Sequence, residues 1–276
     1  MKNLKGAVAA VTGCASGIGR ALAINLAREG CHVAIADVNE EGLKETVEQI
    51  ENKDVKVTSH VVDVADREQV YKWADDVVKE HGKANIIINN AGVAVAQTLE
   101  DITYEDYEWI MGINFWGVVY GTKAFLPFIK QQPAGHIVNI SSVNGFFTWP
   151  TNGSYCSAKF AVKGFTETLL QEMRGNSVGV SCVHPGGIKT RIAHNARMRR
   201  PLEPGMTQEE TADNFTKMCL TTADKASRII IKGIKKNKRK VLVGPDARVL
   251  DFFTRLMPIT HTRIWGYFYR EREIAQ

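Results

Sequence analysis

Short apolar runs alternate with helical periodicities along this chain, and the alternation predicts its layout. Residues 7–12, Ala-Val-Ala-Ala-Val-Thr, suit a strand buried on both faces. A helical pattern follows, with Leu22, Leu26 and Ala27 on one side. Strand-like runs recur at residues 33–36, 55–62, 85–88, 136–140, 178–183 and 241–243. Helical segments lie between them at 67–80, 103–130, from Tyr155 onward and at 223–236. Repeated units of this kind predict an α/β fold, a doubly wound parallel sheet of about seven strands with helices on both faces and ligands at the strand C-termini. Past the last strand, Val249, Phe252, Phe253 and Leu256 recur at i, i+3, i+4 and i+7, widened by Leu250 and Met257, until Pro258 ends the helix.

Charge sharpens the division. Residues 228–276 hold twelve Lys or Arg and four Asp or Glu, a net of +8, whereas the first 227 hold twenty-three and twenty-six, a net of −3. Six of the nine residues 232–240 are basic, which suits a solvated helix C-terminus and turn. No nucleic-acid recognition motif accompanies this charge, so no nucleic-acid partner is expected. No apolar run reaches the ~18–20 residues of a membrane span. Five cysteines, an odd number without metal-ligand spacing, fit reduced thiols in a cytoplasmic protein and no metal site.

The chemistry sits at strand ends. Gly13, Ser16, Gly17, Ile18 and Gly19 lie between the first strand and its helix, where glycines let a backbone approach a pyrophosphate and a helix N-terminus offers free N–H groups. Asp37 ends the next strand, 18 positions after Gly19, and can accept hydrogen bonds from a ribose 2′-OH while repelling a 2′-phosphate. Cys14, Ala15 and Val38 supply no cation for such a phosphate, so NAD is expected over NADP. Asp63 and Val64 end the third strand, where the Asp can meet an adenine amine. Asn89, Asn90, Ala91 and Gly92 end the fourth, leaving room beside a cofactor. Asn114 falls mid-way along an apolar helical segment and needs partners. Ser141 and Ser142 close the 136–140 strand; Tyr155 and Lys159, four residues apart, share a helix face, where phenol and ammonium form a proton-transfer pair.

Taken together, these motifs resemble the short-chain dehydrogenase/reductase family over roughly residues 5–245. Thr12 with Gly13, Gly17 and Gly19 is similar to its cofactor turn, and Asn89-Asn90-Ala91-Gly92 to its N-N-A-G element. Asn114, Ser142, Tyr155 and Lys159 match its catalytic tetrad; Ser142 is chosen over Ser141 because it lies thirteen residues before Tyr155. Pro185-Gly186 with Ile188 and Thr190 resembles the segment that holds the nicotinamide carboxamide. The resemblance implies a Rossmann-type fold and oxidoreduction of an alcohol/carbonyl pair. Tyr155 would be the acid/base, Ser142 a donor to the substrate oxygen, and Asn114 the anchor of a proton-relaying water. Lys159 would lower the Tyr155 pKa and hold the nicotinamide ribose. It also implies a homodimer or homotetramer joined through the long helices.

Within that frame residues 1–245 form the catalytic domain, with 188–222 covering the substrate, and 246–276 a helical extension. Val93, Val95, Asn144, Phe147 and Trp149, with Phe146, Ser142 and Tyr155, are expected to line an apolar pocket for a hydrophobic secondary alcohol or ketone, steroid-, retinoid- or aliphatic-like. The arginines of the cover, Arg191, Arg197, Arg199 and Arg200, with Pro201 and Pro204 beside them, leave open a 3-oxoacyl thioester on coenzyme A or an acyl carrier. A non-catalytic dinucleotide sensor would not need Ser142, Tyr155 or Lys159. The stripe on 249–257 and Ile264-Trp265-Gly266-Tyr267-Phe268-Tyr269 are expected to cover the pocket or meet another subunit in preference to lying in a membrane interface.

Overall fold

A computed structural model describes residues 1–198 and 206–263 of the chain. Its first half runs β1 (Val8–Thr12), α1 (Gly17–Arg28), β2 (His32–Asp37), α2 (Glu40–Glu48), β3 (Val57–Val61), α3 (Arg67–His81) and β4 (Ile86–Asn89). Then come α4 (Tyr104–Met111), α5 (Gly117–Lys130), β5 (Gly135–Ile140), α6 (Gly153–Glu172) and β6 (Val178–Pro185). The rest comprises β7 (Ile188–Lys189), α7 (Gln208–Met218), β8 (Thr221–Thr222), α8 (Ala223–Lys235), β9 (Lys240–Val243) and α9 (Pro245–Leu256).

The central sheet has the order β3-β2-β1-β4-β5-β6-β9, every neighbouring pair parallel. The chain reverses direction across the sheet between β1 and β4, and the crevice at their C-terminal ends is where such folds take ligands. β1, β4 and β5 are buried at every position, as their unbroken apolar runs require. On one face Leu22 and Leu26 of α1 meet Ile230 and Ile234 of α8. On the other, α3, α5 and α6 supply Val70, Trp73, Val77, Phe125, Ile129 and Leu169. Trp73 meets Phe125 edge-on at 4.9 Å. Each such side chain contributes roughly 1.5–3 kcal/mol by leaving water.

The segment expected as one helix over 103–130 is interrupted by a π-helical turn, Gly112–Trp116. An extra residue in a turn rotates the positions after it, and here Asn114 is fully buried. At the C-terminus, the boundary expected at 245 falls inside the first turn of α9, where Ala247 is buried in the main body. The stripe behind it stays exposed: Val249, Phe252 and Leu256 are 53%, 61% and 64% exposed. Ile264 to Tyr269 and the cover residues Arg199, Arg200, Pro201 and Pro204 lie outside the described residues. Among the described residues no helix is long and apolar enough to cross a membrane, and no group of His, Cys, Asp or Glu could hold a metal ion. All five cysteines are buried thiols.

Candidate active site

A cradle forms where β1 meets α1. Gly13 takes φ +72°, a left-handed conformation suited to glycine, and a Cβ there would lie 2.8 Å from Asn90 Nδ2. A Cβ on Gly19 would overlap the Gly13 carbonyl, so the turn closes only with glycine at both places. Asn90 locks it from the next strand, Nδ2 donating to the Thr12 carbonyl at 2.9 Å, while the N–H groups of Asn90 and Ala91 both donate to Thr12 Oγ1. Ser16 precedes α1 without a side-chain capping bond, so the first-turn N–H groups at Gly17, Ile18 and Gly19 remain open to another acceptor. Across the crevice, Thr190 Cγ2 stands 3.2 Å from where a Gly17 Cβ would be.

Asp37, ending β2, accepts the Ala15 N–H through Oδ2 at 2.9 Å and the Asn39 N–H through Oδ1 at 3.0 Å. Each oxygen keeps a second lone pair for a hydroxyl. Asp63 similarly accepts the Ala65 N–H at 2.9 Å, and the neighbouring Val64 is buried against Gly117. Sequence reasoning overlooked Arg20. Its guanidinium reaches the same turn, donating to the Ala15 and Gly42 carbonyls and pairing with Glu45 at 2.7 Å. A cation does stand near the ribose end, then, but it is already partnered. The signal was the Arg at the fourth position of a phosphate-turn helix with Glu45 across from it. A cradle that a Cβ would fill, an open helix N-terminus and an unsaturated carboxylate fit a dinucleotide without a 2′-phosphate.

The hydroxyl and amine groups converge next to it. α6 carries Tyr155 and Lys159 one turn apart, and the β5 end carries Ser142. Ser142 stands beside the Tyr155 phenol, close enough to favour its ionised form, and its Oγ accepts the Asn144 N–H at 3.1 Å. Ser141 instead donates its hydroxyl to the Lys159 carbonyl at 2.8 Å, a scaffold bond. Lys159 is 3% exposed; its ammonium donates to the Ile140 carbonyl at 3.1 Å and lies 5.6 Å from the Tyr155 ring centroid. Burial pushes the Tyr155 pKa up to about 12, only partly countered by Ser142. Burial lowers Lys159 to about 8. Desolvation disfavours both charges, and the phenol stays protonated at neutral pH.

Two buried side chains support this group from behind. Asn114 clasps the Val93 backbone, its Oδ1 accepting the N–H at 2.8 Å and its Nδ2 donating to the carbonyl at 2.9 Å. It fixes residues 92–93 beside Lys159. His184 is buried and its Nδ1 donates to the Ser142 carbonyl at 2.9 Å, with burial lowering its pKa to about 4, so a neutral ring anchors the serine backbone.

Of the expected pocket residues, Phe147 and Val95 are 1% exposed and offer a ligand almost no surface. Phe147 packs against Trp149 and His261, at 5.5 and 5.8 Å between ring centroids. Phe146 faces His184 and Lys240 instead. Val93 is half-buried and Trp149 40% exposed. Asn144 is buried and its Nδ2 lies 3.6 Å from Cys156 Sγ. At the start of the cover, Arg197 pairs with the wholly buried Asp106 at 2.9 Å and stacks on Trp109 at 3.6 Å.

A family model described as short chain dehydrogenase matches residues 7–201. SadH of Mycobacterium tuberculosis, whose name calls it an oxidoreductase, is 42% identical over 267 residues, covering 96% of this chain and 95% of that protein. A 3-oxoacyl-[acyl-carrier-protein] reductase of Thermotoga maritima is 35% identical over 68% of this chain and 76% of its own length. Among solved structures, a short chain dehydrogenase/reductase from Burkholderia phymatum in complex with NAD superposes with a TM-score of 0.83 at 30% identity, over 96% of both chains.

Proposed function

The chain belongs to the short-chain dehydrogenase family of oxidoreductases, and within it we propose an NAD(H)-dependent enzyme that interconverts a hydrophobic secondary alcohol and its ketone. One observation carries the reading: Ser142 stands beside the Tyr155 phenol with the buried Lys159 ammonium 5.6 Å from the Tyr155 ring, next to a dinucleotide cradle. NAD(H), when bound, supplies and accepts the hydride. Glycine turn and α1 N-terminus would hold its pyrophosphate, Asp37 its adenosine ribose, and residues 185–190 its nicotinamide end.

In the reductive direction Tyr155, protonated at neutral pH, gives its proton to the carbonyl oxygen. Ser142 donates a hydrogen bond to that same oxygen as negative charge develops there. Lys159, charged below pH ~8, stabilises the phenolate left behind. Asn114 and His184 act through others, fixing the 92–93 backbone and the Ser142 carbonyl.

An apolar substrate is supported by the absence of any charged residue from 143 to 154, where Trp149 offers an exposed aromatic face backed by Phe147. The acyl-carrier reading loses support because Arg197, one of the cations it would use, is engaged by Asp106 and Trp109. Following NADH absorbance with medium-chain and cyclic secondary alcohols, polyols and a 3-hydroxyacyl thioester tests the class. Turnover confined to the apolar alcohols is expected; turnover of polyols or of the thioester alone contradicts it.

A further inference from the structure

The Pro185-Gly186-Gly187 turn at the end of β6 is held by a residue beyond the matched family segment. Asp246, in the first turn of α9, accepts the Gly187 N–H through Oδ2 at 2.5 Å. The fit is close: a Cβ on Gly186 would overlap the same carboxylate, and one on Gly244 would overlap its other oxygen. That second oxygen, Oδ1, is buried and takes no hydrogen bond among the described residues. Opposite Asp246 stands Cys219, whose Sγ is 3.2 Å from where a Gly187 Cβ would lie. There the two ends of the cover segment meet in a separate two-stranded sheet, Thr221 pairing with Ile188. One carboxylate thus meets the β6 turn, the root of the cover and the C-terminal helix.

The turn's position gives this contact a role. His184, just before it, holds Ser142; Thr190, just after it, faces Gly17 across the crevice. A dinucleotide stretched from Asp37 to Tyr155 passes the turn in its nicotinamide half and not in its adenosine half. Two adjacent glycines have the widest backbone freedom of any pair, so the peptide groups there need an external constraint to keep one orientation.

We propose that Asp246 is a positioning residue for the cofactor: it fixes the 186–188 peptides against the nicotinamide half and ties them to the root of the substrate cover. This coupling rests on the NAD(H) reading and holds whichever alcohol is turned over.

The test compares binding of NADH with that of ADP-ribose, which lacks the nicotinamide, in wild type, Asp246→Ala and Asp246→Asn, with melting curves for each. Removing a charged acceptor predicts about tenfold weaker NADH binding in Asp246→Ala, with the ADP-ribose Kd unchanged within about twofold. Asparagine, the same size and still an acceptor, restores most of the loss. Should the alanine variant fail to fold, Asp246→Glu, which displaces the carboxylate by one methylene, carries the same comparison. Equal weakening of both ligands, or undiminished NADH binding, overturns the proposal. Failure of the wild type to bind either ligand removes the cofactor reading and this coupling with it.

Discussion

The Lys159 ammonium lies 5.6 Å from the Tyr155 ring centroid with the Ile140 carbonyl as its hydrogen-bond acceptor at 3.1 Å. Its burial lowers its pKa to about 8, and the same burial raises Tyr155 to about 12. Over the working range the phenol is therefore the constant and the ammonium the variable. The charge that supports proton release from Tyr155 is present below about pH 8 and lost above it. We expect kcat/KM for ketone reduction, which reports the free enzyme, to be flat below that pH and to fall toward tenfold per pH unit above it. A profile flat to pH 10 contradicts this assignment.

Holding that charge costs stability. In the unfolded chain Lys159 titrates near 10.5, in the folded one near 8. Between those values the unfolded chain binds the proton and the folded one does not, so this group's destabilising effect is full below pH 8 and is relieved as pH rises toward 10.5. At ~1.4 kcal/mol per pH unit the effect is about 3 kcal/mol at most. Lys159→Met, which fills similar space without charge, should melt higher than wild type at pH 7 and lose that advantage by pH 10. Denaturant melts at the two pH values check it.

Gly92 stands between the two supports of this site. A Cβ there would lie 3.3 Å from Asn114 Oδ1 and 3.5 Å from the Lys159 ammonium. Gly92→Ala should cost no more than about 1 kcal/mol of stability, since neither approach is a hard overlap, yet displace the ammonium enough to lower kcat by about tenfold. Unchanged kcat would mean the ammonium's position is not critical.

Asp37 makes a separable contribution at the far end of the cradle. Asp37→Ser removes an acceptor for the ribose hydroxyls and the negative charge that opposes a 2′-phosphate. NADH binding should weaken by about tenfold and NADPH binding strengthen, narrowing the preference. Fluorescence titration with both cofactors measures it; an unaltered NADH/NADPH ratio contradicts the role.

The strands were legible because most are runs buried on both faces, punctuated by Gly, Asn, Asp or Ser at the C-terminal end, and both signals are local. Tyr155 and Lys159 were legible for the same reason: helix geometry alone puts them on one side. What escaped depends on distant parts of the chain. The π turn at Asn114 adds one residue to a helix whose apolar pattern tolerates it. The partners of Arg20 and Asp246 lie up to 26 and 59 positions away. The 1% exposure of Phe147 and Val95 is likewise beyond sequence, where apolar character is visible and depth of burial is not. Depth also decided the direction of the Tyr155 pKa, which spacing to a lysine could not foretell.

The central claim is that the Tyr155 phenol moves the proton. Tyr155→Phe keeps the ring and its packing and deletes only the hydroxyl beside Ser142. Steady-state reduction by this variant, measured beside its NADH Kd, should show kcat lowered by about a thousandfold with the Kd within about threefold of wild type. A kcat near that of the wild type, with NADH bound normally, would contradict the account.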